Sequence, residues 1–131
     1  MAKSQGRQKP PLLFQVSDYW GNLVALSEAT WNTHIIDPAM GHPQMRGCEN
    51  LVQQLLQDPL EIREGAYPRG AVFISDPGFG PGPEGMRAVV LYTNVAFEKG
   101  AYTGIVTTAY PIDIARYPTP RIGRVIVQRR R

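Results

Sequence analysis

The stretch Ser27–Ile62, SEATWNTHIIDPAMGHPQMRGCENLVQQLLQDPLEI, decides how the chain is read. It holds both histidines, one of the two tryptophans and the single cysteine. Ser27 is a good helix N-cap, and Glu28 places an acid in the first turn, where the helix dipole favours it. A helix over about 28–36 puts Trp31 and Ile35 four apart on one face, with His34 at its border. Asp37-Pro38 ends that helix, because proline disfavours helical geometry in the residue before it. A second helix starts near Gly41-His42-Pro43. Met45, Cys48, Val52, Leu55 and Leu56 form its buried stripe, and Asp58-Pro59 closes it.

On either side the period changes to two. Leu12, Phe14 and Val16 alternate, 17–22 is turn material, and Leu23–Leu26 is apolar. These segments predict an N-terminal hairpin. Downstream, 71–75, 87–95 and 102–109 are rich in Val, Ile, Tyr and Thr and predict strands. The Gly/Pro-rich run 76–86 reads as a flexible hairpin connector, with a mobile flap over a site as the lesser alternative, and Glu98-Lys99-Gly100 as a tight turn. Val125-Ile126-Val127 adds a short edge strand. The order is hairpin, two helices, antiparallel meander, which is an α+β arrangement.

Bulk properties narrow the function classes. The 131 residues fit one domain, 1–131, with a loosely ordered start (1–11), a core (12–111) and a basic extension (112–131). Net charge is +3 and many basic groups sit at the two ends, which permits a polyanionic partner. One cysteine allows neither an intrachain disulfide nor a cysteine-rich zinc site. The start of the chain lacks the apolar core of a signal peptide, and no run approaches a membrane span, so a cytoplasmic setting is expected.

The chemistry-bearing residues favour acid–base work over metal or nucleophilic catalysis. His34 and His42 lie on different elements without a third ligand, so no metal or other cofactor is implied. Cys48 sits on the apolar stripe, where a cysteine acts as a small hydrophobe. An imidazole can take and give a proton near neutral pH. RNA cleavage needs both acts, plus cations or hydroxyls to hold a phosphate whose charge grows in the transition state. His34 and His42 suit the first role. Arg46, Arg63, Arg69 and Arg87, with Thr107, Thr108 and Tyr110, suit the second. A lone helical histidine beside tryptophan is more often a structural residue than a catalytic one.

Five pieces then resemble a known family: Val24-Ala25-Leu26-Ser27, Trp31-x-x-His34-Ile35, His42-Pro43-x-Met45, Asp58-Pro59-x-x-Ile62 and Gly104–Pro111 (GIVTTAYP). Together they look like phage-type barnase/EndoU/colicin/RelE-like (BECR-fold) nuclease domains. The resemblance implies two N-terminal helices packed on a four-stranded antiparallel sheet, to which this chain would add its N-terminal hairpin. It implies a metal-independent ribonuclease, a toxin or a phage or mobile-element effector, cleaving RNA by acid–base transesterification. By the same resemblance His34 is the acid or base and Thr108 contacts the scissile phosphate. His42 assists or shapes the second helix start. The implied partners are RNA and an immunity or antitoxin protein. The longer gap through Asp37–Gly41, and Gln44 in place of a usual acid, depart from the family pattern. Either departure fits an inactive copy that only binds RNA or a protein. Arg46, Arg63 and Arg87, with Tyr110, are the substrate-binding candidates, fixed by no matched motif.

Overall fold

A computed structural model describes residues 11–97, 102–115 and 123–129. The expectations for 1–10, for Glu98-Lys99-Gly100 and for 116–122 fall outside those residues. The chain opens with β1 (Leu12–Ser17) and β2 (Leu23–Ser27), paired antiparallel as a hairpin. Phe14 and Val16 of β1 and Val24 and Leu26 of β2 point into the core, as their alternation requires.

Ser27 then caps α1 (Glu28–Thr30), its hydroxyl accepting from the Thr30 N–H at 3.0 Å. The helix widens at once into a π-turn, Trp31–Ile35, closed by the Ile36 N–H donating to the Trp31 carbonyl at 3.0 Å. Thr33 contributes to this opening: its hydroxyl donates to the Ala29 carbonyl at 2.7 Å, competing with the backbone ladder. Trp31 and Ile35 still face inward and are buried. A 3₁₀ turn (Pro43–Met45) and α2 (Glu49–Gln57) follow. Met45, Cys48, Val52, Leu55 and Leu56 are all buried, so the apolar stripe is real, though it spans two separate elements.

The remaining strands are β3 (Glu61–Glu64), β4 (Gly70–Ile74), β5 (Met86–Phe97), β6 (Tyr102–Pro111) and β7 (Val125–Gln128). They join the hairpin in one sheet of order β1-β2-β6-β5-β4-β3-β7. All neighbours are antiparallel except β2 and β6, which run parallel through Val24↔Gly104 and Ala25↔Ile105.

This corrects the expected architecture. The sheet has seven strands rather than four, and the hairpin is part of it rather than an addition. The helices are short: three residues plus a π-turn, then nine. Three physical reasons account for the difference. Pro38, Pro43 and the turn at Gly47 leave no room for a second long helix. β2 carries apolar side chains on both faces (Val24, Ala25 and Leu26 are all buried), which suits an interior strand rather than a free hairpin. β3 reads Glu-Ile-Arg-Glu and has one apolar residue, so periodicity does not reveal it.

The sheet curls around α2, which touches β1 at one side and β4 and β5 at the other. The β1–β2 turn bridges the same distance. Trp20 meets the rings of Phe73 and Tyr92 edge-on, with centroids 6.0 and 6.2 Å away. No helix among the described residues is long and apolar enough to cross a membrane.

Candidate active site

The π-turn and the 3₁₀ turn both pack against β6. The loop between them folds the backbone at His42 back against the backbone at His34 and Ile35. The Asp37 carboxylate accepts from the N–H groups of Ala39 and Met40, at 3.0 and 2.8 Å. The Gly41 N–H then donates to the Asp37 carbonyl at 2.8 Å, and the His42 N–H to the Ile35 carbonyl at 2.6 Å. Gly41 lies so tightly on this turn that a Cβ there would collide with the carbonyls of His34 and Ile35. Eight positions of sequence thus fold back, and the backbones of residues 34–35 and 41–42 run side by side. The extra residues 37–41, a departure from the family pattern, are what close this turn.

His34 is exposed on the outer side of the π-turn, and His42 is half-buried. The His42 ring stands over Tyr110, centroids 5.6 Å apart and tilted by 31°. Burial holds the His42 imidazole below its ordinary titration range, so it is neutral at pH 7. The Arg87 guanidinium carbon lies 6.0 Å from the Tyr110 ring centroid. Arg87 and Tyr110 are cross-strand partners on β5 and β6, and Thr108 pairs with Val89 one step along. Residues two apart share a face, so Thr108 and Tyr110 both stand on the Arg87 side. Between Val89 and Val90 the ladder shifts register; Thr107 is exposed there and its hydroxyl donates to the Val89 carbonyl at 3.3 Å.

The structure therefore gathers His42, Tyr110 and Arg87, sets Thr108 on their face, and ties the His34 backbone beside them. It leaves other candidates outside. Arg63 lies on β3, three strand spacings from β6 or about 14 Å away. Its guanidinium pairs with Glu61 and donates to the Gly123 carbonyl at 3.0 Å, which is a structural task. Arg69 is exposed in the β3–β4 turn, in the left-handed region at φ 65°. Arg46 is exposed just after the 3₁₀ turn. Arg87 is 5% exposed, so it acts on the Tyr110 ring rather than as a free phosphate clamp. Cys48 is buried, and burial together with Glu49 raises its thiol above the ordinary range, away from nucleophilic use. Among the described residues, no three His, Cys, Asp or Glu side chains stand together as metal ligands.

Sequence reasoning preferred a plain connector for 76–86 over a flap above a site, and so did not place the wall of the site. Pro81, Gly82 and Pro83 of the 76–86 connector, with Gln44, Pro111 and Asp113, line a notch of about 40 Å³ beside His42. The connector is tied down where it forms this wall. The Glu84 N–H donates to the Ile112 carbonyl at 3.0 Å and the Ile112 N–H to the Gly85 carbonyl at 2.8 Å. The Glu84 carboxylate accepts from the Ile114 N–H at 2.7 Å. Gly82 meets the Ile112 backbone so closely that no side chain fits. The signal for this wall was the Gly/Pro spacing itself, but its docking site lies on the far end of β6, 30 residues on.

Comparison with known proteins gives no match to a family model, a curated protein or a solved structure.

Proposed function

We propose that the chain is a metal-independent endoribonuclease whose centre is the histidine pair at the end of β6. One observation carries this reading. The 34–42 turn brings the backbones at the two histidines together, with the His42 ring neutral and resting on Tyr110 and the His34 side chain exposed. That is the equipment transesterification requires. Neutral His42 takes the proton from a ribose 2′-hydroxyl. The 2′-oxygen forms a bond to the adjacent phosphorus, the bond to the 5′-oxygen breaks, and protonated His34 gives its proton to that leaving oxygen. A 2′,3′-cyclic phosphate and a free 5′-hydroxyl result. Thr108, on the face shared with Tyr110, donates to the phosphate oxygens, and Arg87 holds the Tyr110 ring against His42. The motifs quoted for the nuclease resemblance support the same chemistry, although the seven-stranded sheet is not the fold that the resemblance implies.

Purified protein incubated with labelled single-stranded RNA in EDTA tests it. The wild type cleaves, and the products carry cyclic phosphate ends. His34→Ala and His42→Ala each lose about 10²–10⁴ in rate while staying folded. Cleavage that survives both substitutions, or that requires Mg²⁺, overturns the proposal. A second reading, an RNA-binding module without catalysis, draws on the burial of Arg87 and the remoteness of Arg63, which leave few cations at the centre. Intact RNA retained by the folded protein in the same assay is its signature.

A further inference from the structure

A second cavity lies beside the helical segment that carries His34. It is an open cleft of about 290 Å³ between α1 and the β1–β2–β6 side of the sheet. It exists because β2 stops at Ser27 while β6 runs on to Pro111, and the chain leaves the sheet there as α1. Ala25 and Ile105, partners in the parallel β2–β6 pairing, both line it. Leu12 and Ala29 add apolar wall, and Tyr102 adds an aromatic ring. The two alanines are too small to fill the gap.

The lining selects a class of ligand. Among the described residues it carries no charge, so a phosphate or a metal ion taken out of water there would go uncompensated. A flat, uncharged ring finds aliphatic surface and a tyrosine to stack on. It also finds a hydrogen-bond donor. The Ser27 hydroxyl donates to Thr30 Oγ1 at 2.9 Å and accepts from the Thr30 N–H at 3.0 Å, which leaves the Thr30 hydroxyl proton for a further acceptor. Mostly apolar walls with a few oriented polar groups are the usual make-up of a small-molecule site. The position is as telling as the lining. Thr30 and the exposed His34 are four apart on one helical segment, so they are neighbours on its surface. Ile105 is three residues from Thr108, about 10 Å along β6. A phosphate held at Thr108 leaves the base of an adjoining nucleotide within reach of the cleft.

We infer that this cleft receives a nucleobase of the RNA substrate, stacked on Tyr102 with a ring acceptor on the Thr30 hydroxyl, and that the base is the one on the 3′ side of the cut. The side follows from His34, which gives its proton to the leaving 5′-oxygen of that nucleotide; the assignment rests on the ribonuclease reading above.

Methyl nuclear magnetic resonance of the full chain tests this, with adenosine, guanosine, cytidine and uridine as probes that carry no phosphate to cut. At least one nucleoside moves the Ala25, Ala29 and Ile105 methyl signals saturably, while ribose and inorganic phosphate leave them in place. Tyr102→Leu weakens that binding by about tenfold, and Tyr102→Phe keeps it. Ala29 is exposed and leucine suits a helix, so Ala29→Leu fills the cleft, abolishes the shift at Ile105 and leaves the thermal midpoint in place. On dinucleotides, removing the 3′ base costs the wild type about tenfold in kcat/KM and costs Ala29→Leu nothing. Nucleosides that leave the three methyls unmoved overturn the inference. So does binding of cyclohexanol with no nucleoside bound, which marks a site for an aliphatic group. If nucleosides bind and RNA stays intact, the ribonuclease reading fails and the base cleft stands. If RNA is cut and no nucleoside binds, the cleft falls alone.

Discussion

Two clusters sit along the β5–β6 ladder, and each sets a tyrosine against an ionisable side chain. Near its middle Tyr92 meets Asp18; at its end Tyr110 meets His42. Asp18 is buried, and its carboxylate accepts from three donors: the Trp20 and Asn22 N–H groups at 2.9 and 2.8 Å, and the Tyr92 hydroxyl. Burial and the adjacent Asp18 carboxylate push the Tyr92 phenol far above its ordinary range. Every polar atom there is spent on fixing the β1–β2 turn across β4 and β5. The His42 ring, by contrast, packs on an aromatic face beside an open notch and remains half-exposed. The first cluster stores shape and the second keeps a proton acceptor available. The comparison teaches that burial alone does not mark a site; what matters is whether the buried group is already saturated.

The strongest way to break this contrast is a reciprocal pair of substitutions. His42→Ala removes about 10²–10⁴ of RNA cleavage and leaves the urea midpoint near the wild type. Asp18→Ala does the reverse: it strands the Tyr92 hydroxyl and two turn amides and costs about 1.5–3 kcal/mol in urea unfolding, with the cleavage rate of the folded fraction kept. If the two variants behave alike, the clusters do not differ in kind. Next in size is alkaline pH. A phenol whose folded pKa is raised contributes stability that is full below about 10 and is lost as pH rises above it. Tyr92→Phe should flatten that loss, read as the thermal midpoint between neutral and alkaline buffers. The smallest effect is at acid pH. Because the folded His42 pKa is lowered, its contribution is full above about 6.5 and is lost as pH falls below it. His42→Gln should shrink the drop in midpoint between pH 7 and 5. A steeper drop reverses the sign of the burial effect.

How far the site was legible can be told residue by residue. His34, His42, Thr108 and Tyr110 stood in local patterns; the two histidines lie on the short segments that pack on β6, and Thr108 and Tyr110 lie on β6 itself. The residues that complete the site did not. Arg87 was one arginine among several, and only its pairing with Tyr110 singles it out. Gly82 and Asp113 became wall residues because the 76–86 connector folds onto the extension of β6. Arg63 looked equivalent to Arg87 in sequence, yet three strand positions separate it from β6.

The amino-acid order by itself determined the local elements: the alternation of β1 and β2, the Ser27 cap, the stripe through Met45, Cys48, Val52, Leu55 and Leu56, and the long strands β5 and β6. These follow from side-chain periods of 2 and 3.6, which are properties of neighbouring residues. Tertiary structure alone decided that β2 lies parallel to β6, that β3 and β7 extend the sheet to seven strands, and that the two histidines share one turn. Those outcomes depend on which distant surfaces bury one another, and a strand's period carries no record of its neighbour.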